Sequence, residues 1–244
     1  MGLNIAQLYD PLDPDRSDLD AYLAIADEFG ARRLLDIGCG TGTLAILAAE
    51  RGLEVTGVDP DGASLDVARR KPGAKRVRWI HGDARMVPPL EVDLVTMTAN
   101  VAQAIVEPDD WRATLDGAFA ALREGGHLVF ETRDPAREAW RSWTRDKSHR
   151  VTEVEGVGPV ETWFDLVDVR LPLVTFRSTN VLHADGTTLL VAESTLRFRG
   201  RAEVEADLAA AGFAVADVRD APDRPGRELV FVARRTIRPW PSGR

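Results

Sequence analysis

A chain of 244 residues, 44% of them apolar, can bury one sizeable core and still carry an insertion. Its formal net charge of −8 leaves no clustered surplus of Lys and Arg to displace counterions, so nucleic acid is not expected as a partner. One cysteine, Cys39, excludes an internal disulfide; with no apolar run of membrane-spanning length and no signal-like pattern over residues 1–20, the expectation is a cytoplasmic protein without membrane contact.

In chain order, Ser17-Asp18-Leu19-Asp20 reads as a helix start, with a hydroxyl to cap it and acids for its positive dipole end. Leu19, Tyr22, Leu23 and Ala26 share a face until Gly30 stops the helix. Leu34-Leu35-Asp36-Ile37 reads as a buried strand, and Gly38-Cys39-Gly40-Thr41-Gly42 as a tight turn into the helical stretch Leu44, Ile46, Leu47, Ala48. Strands follow at Val55, Val77 and Leu94, a helix at Ala63, a helix over 108–122 and a strand over 127–132. This alternation with short connectors predicts a parallel sheet with helices on both faces. Residues 149–199 are strand-like instead. Pro172 breaks a strand over 162–171, and Asp185-Gly186, between Val174-Thr175-Phe176 and Leu189-Leu190-Val191, predicts a type I′ hairpin. A helix over 203–211, stopped by Gly212, then leads into strands over 213–219 and 228–234; the short turn 222–226 makes that pair antiparallel.

Three glycines spaced two apart admit φ > 0 and let a ligand lie against bare main chain, while the helix N-terminus behind them attracts an anionic group. The spacing G-x-G-x-G differs from the G-x-G-x-x-G of dinucleotide folds. Preceded by Asp36, it resembles the first motif of the class I S-adenosylmethionine-dependent methyltransferases. Three more segments resemble that family: Val55-Thr56-Gly57-Val58-Asp59-Pro60; His81-Gly82-Asp83-Ala84-Arg85; and the strand 94–98 followed by Ala99-Asn100-Val101-Ala102-Gln103. The likeness covers 31–133 and, more loosely, 201–235.

The resemblance implies a doubly wound, mostly parallel, seven-stranded α/β sheet, Rossmann-like, with its last strand antiparallel. It implies S-adenosyl-L-methionine as cofactor and S-adenosyl-L-homocysteine as product. It puts Asp36, Gly38, Cys39, Gly40 and Gly42 along the cofactor, Asp59 and Pro60 at the ribose, Asp83, Ala84 and Arg85 at the adenine, and Thr98 and Asn100 at the methyl end. Tyr9 would close over the methionine part. Plainer readings stand beside these. Asp59 can be a turn residue before Pro60, although Asp61 is the better cap and leaves Asp59 to the ribose; Gly82-Asp83 can be an ordinary turn; Tyr9 can belong to a flexible arm; and Cys39 is small because the loop demands it.

The expected organisation is a cofactor-binding domain over 1–148 and 200–235, an antiparallel β insertion over 149–199 after the fifth core strand, and a flexible tail over 236–244. The insertion serves as a lid or as a homodimer contact. The expected activity is methylation of a small-molecule acceptor at O, N or C. The Asn-Pro-Pro-Tyr type tetrapeptide of amide and adenine methylation is absent, since Thr98-Ala99-Asn100-Val101 stands there. Methyl transfer from a sulfonium is an in-line displacement in which orientation can supply roughly 7–11 kcal/mol. A base is needed only for an acceptor that holds its proton. The candidates for touching the acceptor are Asn100, Gln103, Glu131, Arg133 and His149. For Glu131 and Arg133 the plain alternative is an ion pair at a strand end. His183, near the hairpin tip, reads as idle. Trp140 and Trp143, three apart on a helix face, read as core or pocket wall. No metal site is expected. Two other classes remain open: a non-catalytic cofactor-binding protein, and a nucleotide-dependent oxidoreductase on a related fold.

Overall fold

Leu34 and Leu35 are sequence neighbours on opposite faces of β1 (Arg33–Ile37), and both are buried. A strand buried on both faces belongs in the middle of a sheet with helices on each side. That is its setting in the computed structural model, which describes residues 4–183 and 188–236. α1 (Ile5–Leu12) and α2 (Asp20–Glu28) precede β1. After it come α3 (Thr43–Glu50), β2 (Glu54–Asp59), α4 (Gly62–Arg70), β3 (Val77–His81), β4 (Val92–Met97), the single turn α5 (Val101–Ala104), α6 (Pro108–Ala121) and β5 (Leu122–Arg133). α7 (Arg145–Ser148) leads into β6 (Arg150–Val154), β7 (Gly158–Arg170), β8 (Leu173–Leu182) and β9 (Thr188–Arg197); α8 (Arg201–Ala211), β10 (Phe213–Asp220) and β11 (Glu228–Arg235) follow.

Seven strands form one sheet in the order β10-β11-β5-β4-β1-β2-β3. All neighbours are parallel except β11, which is antiparallel to both β5 and β10. On one face Leu35, Val95, Phe130 and Phe231 pack against Trp111 and Leu115 of α6. On the other, Leu34, Leu94, Val129 and Val232 pack against Leu23 of α2 and Ala45 and Ala48 of α3. Strand order reverses between β1 and β4, which opens a crevice at the C-terminal ends of the strands. Asp61 caps α4, accepting from the Ala63 and Ser64 N–H groups at 3.0 and 3.2 Å. Ser17 does not cap α2; it opens a 3₁₀ turn, and its own N–H donates to Asp15 at 3.0 Å.

β6 to β9 form a separate antiparallel sheet in sequence order. Its alternation buries Val160, Val174, Leu182 and Leu196 and exposes Val151, Val169, Leu189 and Val191. Asp185-Gly186 and residues 237–244 lie outside the described residues. Trp140 and Trp143 stand on a 3₁₀ turn (Ala139–Ser142) and just past it, not on the α-helix their spacing suggests; both still meet Phe198, with ring centres 4.6 and 6.0 Å away. No helix among the described residues is long and apolar enough to cross a membrane.

The N-terminal arm is helical. In α1 the Asn4 side chain accepts the Gln7 N–H, and the Gln7 side chain accepts the Asn4 N–H, at 3.1 and 3.0 Å. Leu8 is buried among Val154, Val160 and Leu182 of the inserted sheet. Asp10, two residues on and so turned to another face of the helix, accepts from the Thr41 hydroxyl at 2.8 Å and pairs with Lys71 at 2.7 Å. One short helix thus joins the inserted sheet to the glycine turn.

Three carboxylates are buried at the C-terminal ends of parallel strands: Asp36 on β1, Asp59 on β2 and Glu131 on β5. Burial pushes two of them, Asp36 and Glu131, up to about 7. Such a group binds its proton more tightly folded than unfolded. Its contribution to stability is complete below the unfolded value, about 4, and is lost as pH rises through about 7. Thermal melts should therefore show stability falling between about pH 5 and 8, and Glu131→Gln should flatten that fall, by up to roughly 3 kcal/mol at the alkaline end. A wild-type slope in the variant would mean that Glu131 does not titrate in this window.

Candidate active site

The chain leaves β1 through Gly38, Gly40 and Gly42, at φ +69°, +53° and +78°, and enters α3. The turn is pinned to β2 from several directions. The Gly38 and Cys39 N–H groups donate to the Val58 carbonyl at 2.8 and 3.2 Å. The Gly40 N–H donates to Asp59 Oδ2 at 2.7 Å, and Asp59 Oδ1 accepts the Asp61 N–H at 2.8 Å. The glycines have different reasons to lack a Cβ. At Gly38 it would strike Val101, and at Gly42 it would strike Trp79; at Gly40 it would enter open space. Gly40 therefore faces room for a ligand, while Gly42 serves packing and lines neither cavity described next.

Two cavities meet across this turn and share Gly38 and Val101. The smaller, about 160 Å³, is bounded by Tyr9, Arg16, Leu19, Asp36, Gly40 and Thr98. It sets a carboxyl, whose Oδ1 accepts the Thr96 hydroxyl at 2.8 Å, against the Arg16 guanidinium, itself 3.3 Å from Asp18. Opposite charges at its edges suit a zwitterion. The larger, about 490 Å³, is bounded by Val58, Asp59, Pro60, Asp83, Ala84 and Arg85 on one side and by Val101 and Ile105 on the other. Apolar walls with carboxylates at the rim suit a flat ring carrying hydroxyl or amino donors.

Asp61 is the helix cap, but Asp59 is not idle. Each of its oxygens already accepts one N–H and retains a second lone pair. Asp83 also has company: Arg85 Nε lies 3.0 Å from Oδ2, and its other arm reaches Asp110 at 3.2 Å. The Arg85 side chain holds the Asp83 carboxyl below the ordinary range. Cys39 is buried, and burial pushes its thiol up, away from reactivity. His81 is exposed, with a ring nitrogen 3.0 Å from the Pro60 carbonyl.

The end of β4 is strained. Ala99 and Asn100 are consecutive non-glycine residues at φ +56° and +63°, a conformation costing of order 1–3 kcal/mol each. Glu131 holds it, accepting the Asn100 N–H on one oxygen and the Tyr22 hydroxyl on the other. Gln103 is fully buried, and its Oε1 accepts from the Arg133 N–H and Nη1, both at 3.3 Å. Asn100 Oδ1 and Gln103 Nε2 are buried without a hydrogen-bond partner among the described residues. Glu131 and Arg133 do not pair with each other; the carboxylate nearest Arg133 is Glu228, at 3.6 Å. The Arg133 guanidinium also lies 5.6 Å from the Trp143 ring.

The structure thus gathers Asn100, Gln103, Glu131 and Arg133 at the ends of β4 and β5. It leaves His149 between α7 and the inserted sheet, 3.4 Å from Glu161, whose other oxygen lies 3.2 Å from His183. No group of His, Cys, Asp and Glu among the described residues could hold a metal ion. The sequence alone does not mark Arg16, Val101 or Tyr22 as site residues. No local signal marks Arg16 or Val101, and Tyr22 reads only as part of a buried helix face.

A sequence model described as a methyltransferase domain matches residues 34–126. A putative methyltransferase of Geobacillus sp. (strain WCH70) is 34% identical over 125 residues, 50% of this chain and 50% of that protein. The cypemycin N-terminal methyltransferase of Streptomyces sp is 33% identical over 119 residues, 48% of this chain and 49% of that protein. The chain spans about half the length of these curated relatives. Among solved structures, CalS10, an amino pentose methyltransferase from Micromonospora echinaspora with S-adenosylmethionine bound, aligns with a TM-score of 0.72 at 25% identity, over 97% of this chain and 98% of that one. Asp36, the glycine turn, Asp59, Asp83 and Asn100 all fall within the matched segment. Residues 34–126 thus carry a methyltransferase domain, and the chain is similar to S-adenosylmethionine-dependent methyltransferases over that segment and in its fold.

Proposed function

We propose that the protein transfers the methyl group of S-adenosylmethionine to a small-molecule acceptor. The observation that carries this reading is the pair of cavities joined at Gly38, one suited to a zwitterion and one to a nucleoside, with Gly40 opening onto the space beside them. Arg16 would take the cofactor's carboxylate and Asp36 its ammonium. Asp59 would take the ribose hydroxyls on its remaining lone pairs, and Asp83 with Ala84 and Arg85 would meet the adenine. When bound, the cofactor supplies an electrophilic methyl group. The protein's part is to align the acceptor and exclude water, since orientation is the main lever in such a displacement.

The acceptor would lie beyond the ends of β4 and β5, roofed by the inserted sheet. Asn100 Oδ1 and Gln103 Nε2 are the polar atoms there with capacity to spare, one accepting and one donating. The names of two similar proteins, an N-terminal methyltransferase and an amino pentose methyltransferase, favour acceptors smaller than a folded protein or a nucleic acid.

Isothermal calorimetry with S-adenosylhomocysteine should show saturable binding to wild type; no saturation in folded protein would remove the reading. Asp59→Ala should weaken binding by about 1–3 kcal/mol through a lost charged hydrogen bond and a released loop, and Gly40→Val should abolish it by filling the ligand's space. A folded Gly40→Val protein of normal affinity would take the ligand away from the turn.

Asp36 adds a pH dependence. A ligand ammonium selects the ionised carboxyl, so binding must displace a proton from a group that titrates at about 7. Affinity should fall as pH drops below about 7, and Asp36→Asn should bind weakly with no such slope. Calorimetry in buffers of different ionisation heat would show proton release at pH 6 to about 7 in wild type alone; its absence there would deny Asp36 this contact.

A further inference from the structure

β9 ends at Arg197, and Arg199 stands on the short link from the inserted sheet to α8. It is an unusual arginine, 3% exposed and without an ion pair among the described residues. Its guanidinium lies 4.6 Å from the centre of the Trp111 ring. Nη1 donates to the Ala102 carbonyl and Nη2 to the Ile105 carbonyl, each at 2.7 Å. Burial pushes it down to about 10. An aromatic face and two backbone dipoles therefore hold a buried cation.

Those carbonyls lie within and just past α5. A single turn cannot hold its own shape, because nearly all of its backbone groups are end groups without internal partners. Yet α5 bears the wall of the larger cavity. Val101 fills the space that Gly38 leaves, and Ala104 and Ile105 line the cavity directly. The turn is held from outside at both ends. Glu131 takes the N–H of Asn100 at its start, and Arg199 takes the carbonyls at its end. Trp111, beneath the guanidinium, is fixed in turn by its indole N–H on Asp207 at 2.9 Å and by edge contact with Phe130.

We infer that Arg199 is a positioning residue for the nucleoside-binding cavity: its forked guanidinium fixes α5 from the root of the inserted sheet and so sets the distance between Val101–Ile105 and the Asp59–Asp83 side. This rests on the cofactor reading above. It also makes the inserted sheet and the cofactor cavity one mechanical unit, because the link that carries Arg199 is the continuation of β9.

The test uses the full chain, with S-adenosylhomocysteine and adenosine as separate calorimetric ligands; adenosine occupies the nucleoside cavity alone. Arg199→Lys keeps the charge but replaces the fork with a single ammonium, and Arg199→Met removes the charge and keeps the stem. The Lys variant, shown to be folded by its thermal melt, is expected to lose about tenfold in affinity for both ligands, by the same factor. The Met variant should lose at least as much, and if it does not fold the Lys variant decides. A purely stabilising role would lower the melting temperature and leave both affinities of the folded protein intact, which would overturn the inference. So would a loss confined to S-adenosylhomocysteine, since that places the effect at the amino-acid end. Wild type that binds neither ligand would overturn the cofactor reading and this inference with it, whereas binding by wild type with unchanged variants would overturn this inference alone.

Discussion

Asp59 places one oxygen on the Gly40 N–H and the other on the Asp61 N–H, and the geometry of the site depends on that grip. A run of glycines has more backbone freedom to lose than any other sequence. Left free, it would pay that entropy when a ligand arrived, and affinity would fall accordingly. Here the cost is met during folding, because a buried carboxylate at the end of β2 holds the turn in place. Asp61, held by the same carboxylate, caps α4. One anion therefore orders the glycine turn, the end of β2 and the start of the next helix, while keeping lone pairs for a ligand.

The opposite wall is built on strain. Two left-handed residues in a row, Ala99 and Asn100, are unfavourable by several kcal/mol together at the upper end of the usual range, about 1–3 kcal/mol each. Glu131 offsets part of that by accepting the Asn100 N–H, and Tyr22 fixes Glu131 in turn. Two of the buried polar atoms without partners among the described residues, Asn100 Oδ1 and Gln103 Nε2, lie in or beside this strained segment. A buried polar atom without a bond costs about 1–3 kcal/mol, so leaving two together is a feature to be explained by what they meet rather than by packing.

What the sequence revealed follows from the range of the forces involved. The strand–glycine–helix unit is local, and its apolar runs and glycine spacing already announce it. The carboxylates Asp36, Asp59 and Asp83 are visible for the same reason, each ending an apolar strand. Their partners are another matter. Asp59 takes Gly40 from the neighbouring strand's loop, a contact that exists only once β1 lies beside β2. Glu131 and Arg133 sit two apart on one strand and invite an ion-pair reading. They diverge because Tyr22, Asn100 with Gln103, and Glu228 arrive from three other parts of the chain. α1 carried a legible signal in Asn4 and Gln7, but its placement rests on Leu8 against the inserted sheet, which no local pattern encodes. No local pattern marks Arg16 or Arg199; the fold leaves the first half-buried and buries the second.

These contacts share a physical logic that bears on the chemistry. A displacement at a sulfonium methyl needs no acid for the leaving group, so selection acts on alignment rather than on a proton relay. Alignment must be fixed at both reacting partners. The cofactor side is set by the pinned turn and by α5, held at its two ends. On the proposed reading the acceptor side falls to the inserted sheet, which has two ties to the cofactor side: Arg199 at the root of β9, and α1, whose Leu8 lies on the sheet while Asp10 takes Thr41 and Lys71. A sheet tied at those two points is coupled both to α5 and to the glycine turn. In such an arrangement the distance between methyl donor and acceptor is a property of the fold, not of any one side chain that a catalytic motif could reveal.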